Sequence, residues 1–237
     1  MKSRFVRLAA MLVAGAAMLA GCAQIPRQAF NAKAAASIKK VVLTRAHNQT
    51  QYDTNILGHP GLSFGLIGGL IAAADMHAKS VRLTTAIDAK ETRVQQRLAE
   101  RLKADLEQEG YEASILVVPD GSTPDQALAL GKREPADAVM LLDLYAGYWA
   151  AGPSTDYFPR MLAKVKAVDA HTDKVLYEDS LSYGYAMPQM KTVHLASDPS
   201  YRFADVDALV ADPGRTRQGL YEGVDALAAQ IASDLRK

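Results

Sequence analysis

Three kinds of residue in this 237-residue chain have side chains able to do chemistry: one thiol, a serine set between glycines, and five imidazoles. The thiol is Cys22, the only cysteine, so no internal disulfide can form and the sulfur is free to act as a nucleophile or attachment point. The serine is Ser63 in Gly61-Leu62-Ser63-Phe64-Gly65. Glycines on both sides of a serine suit a strained turn that lifts a nucleophilic hydroxyl above a sheet, provided a strand runs directly into the turn and a helix follows. A base is needed too, and Asp143 or Asp169 with His171 or His194 come after Ser63 in the order Ser, Asp, His. Against catalysis, Gly58 and Pro60 precede the turn and only one convincing strand lies upstream. The histidines, His47, His59, His77, His171 and His194, form no H-E-x-x-H pair and have no cysteine partner, so we expect no metal site and no cofactor. Asp143, inside an apolar run, reads as an edge or capping carboxylate before it reads as a perturbed acid.

What precedes Cys22 accounts for the sulfur better. Met1 to Arg7 carries Lys2, Arg4 and Arg7 with no acid, and an apolar stretch from Leu8 to Ala20 follows, which is the layout of a secretory signal peptide. At about 13 residues the stretch makes roughly 20 Å of helix, short of the ~30 Å bilayer core, so it is not expected to remain as a membrane span. It ends in Leu19-Ala20-Gly21-Cys22, which resembles the lipobox of bacterial lipoproteins at each of its four positions. The resemblance implies a diacylglyceryl group on the Cys22 thiol, cleavage just before it, and acylation of the freed amine, with long chains such as palmitate. Two or more such chains anchor a protein stably where one does not. Ala23 stands where an Asp would favour the inner membrane, so the family's sorting rule implies the outer membrane, on its periplasmic side.

Behind the anchor, residues 23–38 show no sustained period and read as a tether, giving a signal peptide over 1–21, a lipidated tether over 22–38 and a domain from 39 to 237. Lys40 to Thr44 is a short β-branched strand, ended by the polar stretch His47 to Thr54. From Thr92 to Glu109, Val94, Leu98, Leu102 and Leu106 recur every four residues among charges and Gly110 follows, which predicts an amphipathic helix. Tyr111 to Val118 reads as a strand. Thr123-Pro124-Asp125 supplies an N-cap, a proline at N1 and an acid for a short helix ending near Lys132. Asp137 to Leu144 suits a central strand. Arg160 to Val168 and Val175 to Tyr185 flank a polar turn from Asp169 to Lys174, which predicts an antiparallel hairpin. Leu220, Val224, Leu227 and Ile231 stripe a closing helix from about Thr216 to Leu235. The expected fold is therefore α/β (α+β): one domain with a mixed sheet, an antiparallel hairpin and packed amphipathic helices. In element order and in its Asp169 to Lys174 hairpin it resembles the small α/β domains of periplasmic envelope lipoproteins of the curli-secretion and penicillin-binding-protein-activator types. No functional residue is carried over from that likeness.

The segment Pro60 to Ala74 stands apart, being free of charge and rich in glycine. On a helix Gly61, Gly65, Gly69 and Ala73 would share one small-residue face that lets a second helix approach closely, with Phe64, Leu66, Ile67, Leu70 and Ile71 opposite. The first expectation is a helix buried tightly on the sheet. Shallow membrane insertion, or homo-oligomerisation through the glycine face, is the alternative. Trp149, Tyr145, Tyr148, Tyr157 and Phe158 are expected to cluster beside the loop at Gly152, for packing before contact. The chain carries a formal net charge of only +1 and its charges alternate in sign, so no nucleic-acid partner is expected. These readings point to a non-enzymatic envelope adaptor or assembly factor held by lipid on Cys22, with an unidentified envelope protein as partner. An oligomeric membrane-inserting component using Gly61–Ala74 and a lipid-anchored serine hydrolase at Ser63 are the other two classes.

Overall fold

The computed structural model describes residues 27–33, 35–187 and 190–236. The expected signal peptide, Cys22 and the first part of the expected tether lie outside the described residues.

Seven strands form one sheet: β1 (Lys40–Arg45), β2 (Asp53–Ile56), β3 (Glu112–Val117), β4 (Ala138–Ala150), β5 (Phe158–Asp169), β6 (Val175–Gly184) and β7 (Val193–Leu195). The order is β3-β1-β4-β5-β6-β7, and β2 pairs with the far end of β4. β1 runs parallel to both β3 and β4, whereas β4, β5 and β6 form an antiparallel meander whose second turn is the predicted hairpin. The helices are α1 (Gly65–Ala86), the single turn α2 (Ala89–Thr92), α3 (Val94–Gln108), α4 (Pro124–Gly131), the short α5 (Val206–Ala211) and α6 (Pro213–Asp234). The expected mixed sheet with packed helices is thus the observed one.

Alternation along the strands assigns the faces. Val41 and Leu43, then Met140, Leu142, Leu144, Ala146 and Tyr148, then Met161, Ala163 and Val165, point to one side and are buried. That side receives α3 through Val94, Leu98, Leu102 and Leu106 and α6 through Leu220, Val224, Leu227 and Ile231, the two stripes read from the sequence, each residue at most 1% exposed. Close contact needs glycine where α6 crosses the sheet, because a Cβ at Gly223 would sit 2.6 Å from Tyr183 Cδ1 and 2.8 Å from Met161 Sδ. The Tyr148 hydroxyl donates to the Thr216 carbonyl at 2.8 Å, pinning the same crossing.

β4 outruns its neighbour. β1 pairs with it as far as Leu142 and β2 takes over only at Gly147. The gap is filled by amides of side chains: Gln49 accepts from the Ala146 N–H at 3.2 Å and donates to the Ala146 carbonyl at 2.9 Å, and Gln95 donates to the Leu144 carbonyl at 3.1 Å. Gln49 therefore acts as one residue of missing strand, which a buried backbone pair requires. β2 was not foreseen, since it falls partly within the polar stretch read as a strand end. Four residues, Asp-Thr-Asn-Ile, carry too little pattern, and β2 is held by β4 and by Thr54 N–H donation to Ser80 Oγ on α1 at 2.9 Å.

On the opposite side of the sheet α4 covers only β1 and β4. Its start is as predicted: Thr123 Oγ1 accepts from Gln126 N–H while the Gln126 side chain accepts from Thr123 N–H, a reciprocal cap. The end of the segment read as a tether lies along the sheet. Gln28 bridges to Glu178 on β6, Arg27 pairs with Asp179 at 3.0 Å, and Ala35 and Ile38 are buried in the core.

Candidate interaction surface

α1 is two helices in environment. Its second half is locked down: Leu83 and Ser80 are buried, and Thr84 Oγ1 accepts from the Tyr52 N–H at 2.9 Å. Its first half is held by a narrow stripe, Gly68 and Ala72, against the 3-10 turn Pro60–Ser63 that precedes it. Turn and helix meet backbone to backbone, for a Cβ built on Gly68 would lie 2.2 Å from the Gly61 carbonyl oxygen. His59 caps the turn. Its Nδ1 accepts from the Gly61 N–H at 3.0 Å, and its Nε2 lies 3.2 Å from Asp75 Oδ2, to which Lys79 Nζ also donates. Burial works to raise the Asp75 carboxyl, but Lys79 and His59 outweigh it and hold it below its ordinary value.

Everything else on this half of the helix faces outward. Leu66 is 81% exposed, Ile67 76% and Phe64 75%, and Leu62, Leu70 and Ile71 are each more than half exposed. The expectation of a buried helix is thus corrected: the sheet has already been covered by α3 and α6, α1 meets β2 through Ser80 in its second half, and its first half packs through Gly68 on the preceding turn. Single exposed leucines are commonplace, but six large apolar side chains on consecutive turns, in a segment with no charge from Pro60 to Ala74, make a contiguous patch of the kind that marks an interaction surface. Among the described residues no helix is long and apolar enough to cross a membrane.

The four small residues singled out by spacing divide. Gly65, Gly69 and Ala73 lie on the helix, and Cβ atoms on Gly65 and Gly69 would meet nothing within 4 Å, so this stripe is open. Gly61 lies in the preceding turn and packs on Gly68 instead. Gly65 has a second reason to be glycine, its φ of 62°.

Ser63 is exposed at the end of the 3-10 turn, and no strand runs into it, because β2 ends at Ile56 and Leu57 to His59 intervene. The imidazole closest in sequence, His59, has its acceptor nitrogen occupied by the Gly61 N–H and its other nitrogen turned to Asp75, which leaves no lone pair for a serine proton. The candidate partners are committed elsewhere. Asp169 accepts from the backbone of His171 and Thr172 in the hairpin turn, and His194 Nδ1 lies 3.3 Å from Ser182 Oγ beside β7. Asp143 is exposed on the α4 side of the sheet, in register with Lys164. His47 pairs with Asp120 at 2.7 Å. Among the described residues no three His, Cys, Asp or Glu side chains converge as a metal site would need.

The aromatic residues do not form one cluster. Tyr148 and Tyr157 are buried on the helix side with Phe203, whose ring meets Tyr148 edge-on at 5.6 Å. Tyr145 and Trp149 are on the other side, edge to face at 6.2 Å, with the Arg160 guanidinium 5.5 Å from the indole, and burial pushes the Tyr145 phenol up to about 12. Phe158 meets Tyr185 and Arg202. Beside α4 the same side of the sheet holds a groove of about 500 Å³, whose Arg45, Lys164 and Lys166 are countered by Asp143, Glu178 and Asp179. It shows no preference for one sign of ligand. Sequence reasoning named the residues of the α1 patch but not their exposure.

No protein-family model matches this chain, and no curated protein matches it. Among solved structures it is similar to the PelC dodecamer from Paraburkholderia phytofirmans, at 12% identity over 89% of this chain and 95% of that one, with a TM-score of 0.35. A protein from Helicobacter pylori, provisionally described as a neuraminyllactose-binding hemagglutinin homolog, shows 11% identity over 84% and 86% with a TM-score of 0.36. A provisionally described lipoprotein from Caulobacter crescentus CB15 shows 16% identity over 61% and 81% with a TM-score of 0.28. At these TM-scores the likenesses are loose.

Proposed function

We propose that this chain is a lipid-anchored bacterial envelope protein that works by contact and not by catalysis, as an adaptor or assembly factor on the periplasmic side of the outer membrane. The lipobox resemblance at Leu19 to Cys22 supports the anchor. The observation that carries the contact is the exposed apolar half of α1, where Phe64, Leu66 and Ile67 are each at least three-quarters free. Leaving such a patch in water forfeits about 25 cal/mol for every Å² that a partner would cover, and a lasting exposure of this size is most simply explained by a partner. The non-enzymatic character is supported by Ser63, which has neither a strand leading to it nor a free imidazole nitrogen at His59.

The test is site-specific photo-crosslinking in living cells, with the photoreactive residue placed at Leu66 or Ile71 and, as a control, at Val117, a 40% exposed position on β3. Discrete adducts at the first two positions and none at Val117 support the reading. Failure of Leu66 and Ile71 to crosslink to protein or lipid, with the protein folded and at its normal level, rejects it.

A further inference from the structure

Resting on that reading of the α1 face, we infer that its partner is a second copy of this chain, docked helix to helix. The helix carries both halves of a fit. Going around its axis at 3.6 residues per turn, the buried stripe of Gly68 and Ala72 is followed by an open groove of Gly65, Gly69 and Ala73 and then by a ridge of Leu66, Leu70, Ile67 and Ile71. Ridge and groove are neighbours on one surface, so a second copy turned about a two-fold axis sets its ridge in the groove of the first and receives the first's ridge in its own. Glycine in the groove lets the two backbones approach closely, which neither a lipid surface nor a flat partner requires.

The size agrees. Six large apolar side chains, each more than half free and each worth on the order of 200 Å² when wholly exposed, present roughly 800 Å², the share that one partner gives to a standard protein interface.

The position of the tether also favours a protein partner over the bilayer. Arg27 and Gln28 are fixed beside Asp179 and Glu178 on β6, and Glu178 lies in register, through Lys166, with Leu141 of β4. The patch begins beyond the other end of β4, where the Gly58 N–H meets the Ala151 carbonyl. The nine residue-to-residue steps from Leu141 to Ala150 measure about 30 Å of strand, whereas the five steps from Cys22 to Arg27 reach at most about 18 Å. A lipid on Cys22 therefore leashes a different part of the domain and does not of itself press α1 onto the membrane. It does confine two copies to one surface in one orientation, which raises their effective concentration toward each other.

The experiment is oxidative crosslinking of the full chain in native membranes, with single cysteines at Leu66, Leu70 or, as control, Val117, each alone and combined with Gly69→Leu. Cys22 stays in every chain, and the unsubstituted protein sets the background. A Cβ on Gly69 meets nothing within 4 Å in the protomer, so the leucine starts out into the groove, and an unchanged circular-dichroism spectrum of the variant checks that the fold is kept. The expected result is a band of twice the protomer mass for Leu66→Cys and Leu70→Cys, none for Val117→Cys, and its loss on adding Gly69→Leu. A band that persists with Gly69→Leu overturns the proposal. So does a missing band when a fluorophore on the Leu66→Cys thiol is quenched by brominated lipids, which assigns the face to the bilayer and leaves the contact reading standing. A crosslink to a protein of another mass likewise overturns self-docking alone. Reaction of that thiol with a water-soluble maleimide as fast as at Val117→Cys overturns both the self-docking and the contact reading.

Discussion

Gly68 and Gly69 are adjacent on the same helix, and adding one methyl group to each should change stability in opposite directions. In a helix interior Gly→Ala gains about 1 kcal/mol through backbone entropy. At Gly69 nothing lies within 4 Å of the added carbon, so the whole gain should appear. At Gly68 the carbon would stand 2.2 Å from the Gly61 carbonyl oxygen and 2.5 Å from Phe64 Cβ, and because the first of these is backbone, turn and helix must move apart. Over-packing of that kind costs roughly 1–3 kcal/mol, which outweighs the propensity gain and leaves a net loss of about 1 kcal/mol. The two variants should therefore differ by about 2 kcal/mol, or roughly 4–8 °C in Tm for a domain of this size. Circular dichroism melts at a dilution where the protein is monomeric provide the assay, since self-association through the same helix would add a concentration-dependent contribution. Equal shifts, or a higher Tm for Gly68→Ala, would refute the backbone contact between the turn and α1.

Four further outcomes follow, three from the structure and one from the sequence. Gln49→Ala strips Ala146 of both its side-chain partners, and at about 1–3 kcal/mol for each buried group left unpaired it should lower the urea midpoint clearly, whereas Gln51→Ala nearby should have little effect. Asp137 takes hydrogen bonds from the Lys40 and Lys39 N–H groups, both at 2.8 Å, and these hold its carboxyl below the ordinary value. Because the folded value is the lower one, its contribution is complete above the unfolded value near 3.9 and fades as pH drops through the folded value. The stability gap between the native protein and Asp137→Asn should accordingly be flat at neutral pH and narrow only below about pH 4, and a gap that stays constant in acid contradicts the assignment. Incubation with an organophosphonate probe should leave Ser63 unlabelled in the folded protein, and stoichiometric labelling abolished by Ser63→Ala would restore the hydrolase reading. Cys22→Ala should lose radioactive palmitate and either leave the membrane or remain uncut, and labelling at the native level would defeat the lipobox assignment.

Much of the architecture was legible because its causes are local. The four-residue recurrence of Val94, Leu98, Leu102 and Leu106 and the Thr123 to Gln126 cap identify helices with no knowledge of the rest of the chain, and alternation from Met161 to Ala167 identifies β5 as two-faced. The aromatic residues carried a usable signal too. Tyr148 and Trp149 are consecutive in what proved to be a strand, so the period of two required them to part, and treating them as one cluster overlooked it. β2 had no such signal. Asp53 to Ile56 becomes a strand only because β1 stops short of Gly147 and leaves the edge of β4 to be paired.

The lipobox resemblance and its implied anchor are likewise matters of sequence alone, since Cys22 and the leader precede the described residues. What sequence could not decide was the fate of Pro60 to Ala74. A helix that is apolar on nearly every side looks the same whether it is core or surface, because burial is a property of what stands opposite and not of the segment itself. Here α3 and α6 had already covered the sheet, Ser80, Leu83 and Thr84 tied down the second half of α1, Gly68 and Ala72 sufficed for its first half, and the larger side chains there were left facing out.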